Sequence, residues 1–258
     1  MVKSMISIQQ QETVAAPAGG PPLTSSAPGG TSPATPAYDQ FTALLAQRHS
    51  CRGFRPQPLP RELVTRIVAT AGRSASWCNA QPWHVHIVSG AALEGLRTDI
   101  SARAHSGAAA TPELDWPLGY EGVYRDRRRA CGWSLYEAVG VGKGDRDAST
   151  RQAMENFHFF GAPHLALVTS PALLGTHGVM DCGAWVSNFL LAASSLGVGA
   201  IAQAAVASWP DILRQHLPIP DDRHIVCGIS FGYEDPDHRA NHFRTARADL
   251  DEIVTWVE

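Results

Sequence analysis

The sequence predicts an α+β domain, one sheet covered by helices. Two observations lead there. Helical patterns outweigh strand-like ones, and the strand-like runs are brief: HVHIVS (84–89), HLALVTS (164–170), AIAQA (200–204) and HIVCGISFGY (224–233). The 258 residues, 44% hydrophobic and 17% charged, suffice for a substantial core in one large domain or two small ones.

Residues 1–37 are rich in Pro, Gly, Ala, Ser and Thr and almost uncharged. Such a tract cannot bury enough apolar surface to offset its chain entropy, so it reads as a disordered extension ahead of a domain spanning 38–258. It has neither the basic start and apolar core of a secretory signal nor the arginines of a transit peptide.

From Tyr38 the elements follow in order. YDQFTALLAQR reads as a short helix. PRELVTRIVATAG places Leu63, Val64, Ile67, Val68 and Ala71 on one face behind Pro60 and ahead of Gly72, an amphipathic helix with both ends marked. After the first strand, 91–104 is helical. Residues 105–150 are irregular and rich in Gly, Asp and Arg, with helical character near 124–136. A helix is expected over 150–160, then the second strand. GVMDCGAWVSNFLLAASSLGVG (178–199) is about long enough to span a bilayer, but it carries Asp181 and Asn188 and no basic flank. It reads instead as a helix over 180–196, buried on most sides in a core or a subunit interface. The tail, EDPDHRANHFRTARADLDEIVTWVE, would fray alone and suits a segment packed on a neighbouring chain.

Charge and cysteine usage narrow the function classes. A formal net charge of −3 offers no long-range attraction for nucleic acid or an anionic membrane. Five cysteines, at 51, 78, 131, 182 and 227, show no CxxC spacing, which suits reduced thiols in a cytoplasmic enzyme and no zinc cluster.

Four stretches bear on the chemistry. In RHSCRGF (48–54) an extended backbone would send Arg48, Ser50 and Arg52 to one side, a solvated basic stretch or an anion site. Arg244 and Arg247 form a second basic group, again surface charge or the other half of such a site. In SASWCNAQPWHVHIV (74–88), Pro82 biases Gln81 away from helix, and Asn79 and Gln81 present donors and acceptors suited to a planar heterocycle. Cys78 lacks a nucleophile motif around it. His84 and His86 share a strand face without an acidic or thiol partner nearby, so they read as structural, and no metal is assigned. RDRRR (125–129) is either a solvated helix face or part of a mobile lid.

Taken in order, RHSCRGF, SASWCNAQPW, NFHFFGAPHLALVTS (156–170) and FGYEDPDHRANHFRTARADLDEIVTW resemble the FMN-dependent nitroreductase family over 38–258. The resemblance implies a central, mostly antiparallel sheet wrapped by helices in an intertwined homodimer. Two FMN sites at the interface would each draw on both chains, and the tail would cross to the partner. It implies NADH or NADPH as reductant and nitroaromatic or related electron-poor substrates in a ping-pong cycle. The same fold also carries reductive dehalogenation, ene reduction and oxidation of biosynthetic intermediates, and a non-catalytic flavin-binding role is a further alternative. Carried onto this chain, Arg48, Ser50, Arg244 and Arg247 fall at the flavin phosphate and ribityl contacts, and His49 falls among the cofactor-binding residues. Arg52 falls at the cation near flavin N1 and the C2 carbonyl. Ser76, Trp77, Cys78, Asn79 and Gln81 fall along the isoalloxazine edge, and Asn156 at a ribityl or flavin-edge ligand. Gln203, Ala204 and Ala205 fall where backbone N–H groups meet flavin N5. Some members have Pro-x-Glu-Gly there where this chain reads AQAAVA. No side chain is implied as nucleophile.

Overall fold

The computed structural model describes residues 35–258; the rest of the Pro/Gly-rich extension lies outside them. The first helix, α1 (Pro36–Gln47), begins two residues ahead of the expected boundary. Thr35 Oγ1 accepts from the Tyr38 N–H at 3.3 Å, and Pro36 sits in the first turn, where its missing N–H costs nothing. The remaining helices are α2 (Arg61–Ala71), α3 (Gly90–His105), α4 (Gly122–Val139), α5 (Arg146–Met154), α6 (Gly175–Ser195) and α7 (Pro210–His216). Strands β1 (His84–Ser89), β2 (His164–Pro171), β3 (Gly199–Gln203) and β4 (Arg223–Gly232) form one sheet in the order β1-β2-β4-β3, with every pair antiparallel.

Alternation along the central strand β2 builds two cores. Leu165 and Leu167 face one cluster with Leu93, Leu96 and Ile100 of α3 and with Trp209 and Leu213. Ala166 and Val168 face the other, with Val64 and Ile67 of α2 and Trp185 and Phe189 of α6. A strand buried on both faces needs apolar residues at every position, hence the unbroken HLALV. Each wholly buried leucine contributes about 1.5–3 kcal/mol.

Several expectations are corrected. The helix expected over 150–160 is α5, which starts at Arg146 and stops at Met154, so Asn156 lies in a turn beyond it. Phe159 and Phe160 then both take left-handed φ, +53° and +52°. The reversal sends Phe159 into the cluster with Trp209 and Phe160 into a third cluster around Cys51. Burying each ring yields about 1.5–3 kcal/mol, which offsets the roughly 1–3 kcal/mol that a left-handed non-glycine residue costs. In the middle section the helical character expected near 124–136 belongs to α4, which is longer than expected, and α5 begins within the stretch expected to be irregular.

Helix α6 begins five residues earlier than expected. Cys182, Trp185, Phe189, Ala192 and Ala193 face the sheet, while Met180, Gly183, Ala184 and Ser187 are exposed in the single chain. Among the described residues no helix is long and apolar enough to cross a membrane. In the tail, Ile253, Trp256 and Val257 are exposed, and Glu252 pairs with Arg127 of α4 at 2.7 Å within the same chain.

Candidate functional site

Residues 48–54 leave α1 in extended conformation and cross the β3 edge of the sheet. Ser50 bridges Ala200 in parallel, the Cys51 N–H donates to the Ala200 carbonyl at 3.2 Å, and Phe54 bridges Glu234. The period of two holds. Cys51 is fully buried, its thiol pushed up to about 12 by burial, and His49 Nε2 lies 3.0 Å from Glu234 Oε1. With Cys51 and Gly53 buried, the extended backbone leaves Arg48, Ser50 and Arg52 on the other side.

Arg48 gathers a distant partner. Burial lowers its pKa, and the nearby Arg247 guanidinium lowers it further. Two cations held this close, one of them partly desolvated, favour an anion between them. Arg247 is exposed, its Nη1 bonded to Thr245 and Ala246 of its own loop, while Arg244 Nη1 donates to the Asn241 and Phe243 carbonyls at 2.6 and 2.9 Å.

Arg52 is more tightly held. Asn241 Oδ1 accepts from its backbone N–H at 2.6 Å, its Nη1 donates to the Ser50 carbonyl at 3.3 Å, and its guanidinium lies 5.3 Å from the centre of the Phe243 ring. Burial lowers its pKa, opposed by the nearby Cys131 and Cys51 thiols. Cys131 comes from α4, so the middle insertion reaches the Arg52 side of the domain.

At the other end of β3, the Gln203 amide is spent inward. Its Nε2 donates to the Asn156 carbonyl at 2.9 Å, and Ser230 Oγ donates to its Oε1. Asn156 is thereby fixed beside the β3 terminus. Beyond Gln203 the chain enters a 3-10 turn, Ala204–Ser208, whose first N–H groups have no partner within the turn. Gly228 of β4 lets this turn lie flat, since a Cβ there would come within 2.8 Å of Val206.

The loop 76–81 is set by strain and by α6. Cys78, Asn79 and Gln81 have φ of 51°, 57° and 48°. Gln81, expected only to avoid helix before Pro82, is left-handed rather than extended. Three non-glycine residues in this region cost about 1–3 kcal/mol each, and such strain persists only where neighbours enforce it. Here the Trp77 N–H donates to both Asp181 oxygens at 3.2 Å, Ser76 Oγ accepts from the Gln81 N–H at 2.9 Å, and the Trp77 ring meets His177 edge-on at 4.2 Å. The Cys78, Asn79 and Gln81 side chains are exposed.

The expected site residues therefore form two groups. Arg48, His49, Ser50, Arg52, Asn156, Gln203, Ala204, Ala205, Arg244 and Arg247 gather around β3 and the segment 234–247. The loop 76–81 sits apart, over the first turns of α6. A cleft of about 100 Å³ places Arg48 and His49 beside Ser194, near the last turn of α6. Asp181 and Ser194 are thirteen residues apart on one helix, about 20 Å at 1.5 Å per residue. The loop thus rests near one end of α6 and Arg48 beside the other.

His84 and His86 have ring centres 4.9 Å apart, and among the described residues no group of three or more His, Cys, Asp or Glu is placed to hold a metal ion. Residues that sequence reasoning passed over are Asn241, Phe243, Glu234 and Asp181. Asn241 and Phe243 stand inside ANHFRTAR, where the arginines drew attention first.

Residues 45–233 match the family model described as "Nitroreductase family". The chain is 33% identical to the 4-nitrobenzoate reductase of Nocardioides sp. (strain LMS-CY), with 87% of this chain and 92% of that protein covered. It is also 33% identical to nitroreductase NfnB of Mycolicibacterium smegmatis (strain ATCC 700084 / mc(2)155), covering 88% of this chain and 97% of that one. In structure it is similar to the FMN-dependent nitroreductase NfnB from Mycobacterium smegmatis in complex with NADPH. The TM-score is 0.81 at 30% identity, over 86% of this chain and all of that one.

Proposed function

This chain belongs to the nitroreductase family, and on that premise we propose that it is an FMN-dependent NAD(P)H oxidoreductase reducing nitroaromatic or related electron-poor small molecules. The observation that carries the reading is the meeting of Arg48 with Arg247 beside Ser50 and Arg52. A cluster of cations on one side of an extended segment, with free backbone N–H groups at the end of the next strand, fits a phosphorylated flavin. The guanidiniums match a phosphate dianion, and Arg52 matches the electron-rich edge of the ring.

FMN held there would supply the redox chemistry, with NADH or NADPH as reductant and the electron-poor substrate as oxidant in the same space. The protein's share is placement and field. Arg48, Ser50, Arg244 and Arg247 would hold the phosphate and ribityl chain. Arg52, fixed before any charge develops, offers its cation where negative charge gathers on reduction, so no reorganisation is needed at that moment. The N–H groups at 204–205 would meet the reacting edge, with Asn156 a ribityl or flavin-edge ligand. No side-chain nucleophile is required.

The loop 76–81 completes the site only from a second chain. A homodimer resolves the 20 Å gap, because a two-fold axis sets the loop of one copy against the arginines of the other. It would also cover the exposed face of α6 and the apolar tail. Five free cysteines suit the cytoplasm.

The test is direct. Purified protein is yellow and bleaches anaerobically with NADH or NADPH, then recovers colour with nitrobenzoates faster than with quinones or halophenols. Protein that binds no added FMN, or binds it but is reduced by neither nicotinamide, overturns the proposal.

A further inference from the structure

Asn241 is 1% exposed, and its side chain is fully used by three hydrogen bonds. Oδ1 accepts from the Arg52 N–H at 2.6 Å; Nδ2 donates to the carbonyls of Gly53 and Asp235, both at 2.9 Å. Its own carbonyl accepts from Arg244 at 2.6 Å. One buried amide thus ties the cation-bearing segment 48–54 to the segment that carries Arg244. Two residues on, the Phe243 ring lies against the Arg52 guanidinium at 5.3 Å. The backbone of Arg52 is fixed by one residue and its charged end by the other. Glu234 adds a third tie through His49, on the opposite side of the same segment.

We infer that Asn241 and Phe243 are positioning residues for Arg52, and that through it they set how strongly the site favours reduced over oxidised flavin. The inference rests on the flavin site proposed above. Its physical basis is that a cation stabilises developing charge only when its position is fixed in advance. A guanidinium on a flexible stem is not fixed by its own backbone alone. Asn241 removes the backbone freedom of Arg52, and the aromatic face holds the planar end while leaving its N–H groups free for an acceptor.

The experiment measures the FMN dissociation constant by fluorescence and the midpoint potential at saturating FMN. The variants are Arg52→Gln, Asn241→Ala, Phe243→Leu and Phe243→Tyr. Glu113→Gln serves as a destabilising control: Glu113 pairs with Arg214 at 2.6 Å and accepts from the Ile225 N–H, remote from Arg52. Arg52→Gln should make the potential more negative. Asn241→Ala should shift it the same way and weaken FMN binding about tenfold, since the buried Arg52 N–H loses its acceptor while the Gly53 and Asp235 carbonyls keep only the N–H groups of Asp235 and His238. Phe243→Leu should lower the potential, Phe243→Tyr should restore it, and Glu113→Gln should lower thermal stability without moving it.

If Arg52→Gln shifts the potential but Asn241→Ala and Phe243→Leu do not, the positioning role is wrong and the flavin site stands. If Arg52→Gln leaves the potential unchanged, the assignment of Arg52 is wrong and the inference falls with it. Phe243 is only half-buried, so its two variants decide the matter even if Asn241→Ala does not fold.

Discussion

Arg247, eleven residues from the C-terminus, stands close enough to Arg48 at the end of the first helix to depress its pKa, adding to the effect of burial. Like charges are brought together at a cost, and an anion between them reverses it. Arg247→Ala should therefore weaken FMN binding about tenfold or more, the worth of a charge-assisted hydrogen bond to phosphate. The loss should shrink at high salt, where the exposed Arg247 is screened. Titration of apo-protein with FMN at two ionic strengths checks both; unchanged affinity removes the phosphate from this pair.

The separation of the two half-sites along α6 gives a test by mixing. A chain carrying Arg48→Ala and a chain carrying Asn79→Ala should each form homodimers with two damaged sites. Their heterodimer should hold one intact site and one doubly damaged site. Co-expressed and purified through two tags, it should retain about half the wild-type flavin and turnover, as a shared two-fold site requires. Flavin content no better than that of either homodimer would place both half-sites in one chain.

Asp181 holds the strained loop from below. Asp181→Ala frees the Trp77 N–H, which is exposed and can turn to water, so folding stability should fall by only about 0.5–1.5 kcal/mol. Flavin affinity should drop several-fold, because Cys78, Asn79 and Gln81 can then relax from left-handed conformations. Calorimetry and flavin titration on the same preparation separate the two effects; a large stability loss with intact affinity contradicts this account.

His164 predicts the acid limit. It is 5% exposed, its Nε2 accepts from the Leu59 N–H at 2.8 Å, and burial lowers its pKa from 6.5. The folded state therefore prefers it neutral. Above the unfolded pKa both states are neutral and it adds no slope. As pH falls below about 6.5 the unfolded state binds the proton first, and stability declines until the folded pKa is reached. His164→Gln, which keeps an acceptor but does not titrate, should flatten that part of the curve in urea unfolding between pH 7 and 5. A slope unchanged by the substitution assigns it elsewhere, His86 being the other histidine with a lowered pKa.

Much of this was legible beforehand because it rests on local rules. HVHIVS is β1 to the residue, and the period of two in RHSCRGF places Arg48, Ser50 and Arg52 together because Cys51 and Gly53 are buried. What escaped prediction depended on partners distant in sequence. The stop at Met154 is decided by two phenylalanines entering separate clusters, which no helical periodicity records. Asn241 looks like any polar loop residue until the carbonyls it serves, at 53 and 235, are in place. Likewise Asp181 reads as a blemish in an apolar helix until the loop 76–81 is seen resting on it.

Helix α6 acts as a gauge block between the loop it carries and the arginines beside its far end. Each residue inserted in or deleted from it changes its length by about 1.5 Å and rotates one end against the other by roughly 100°. Either change misaligns the loop of one copy with the cations of the other, however mild the side chain involved. Relatives that keep this chemistry should thus vary freely in what α6 is made of and hardly at all in how many residues separate Asp181 from Ser194.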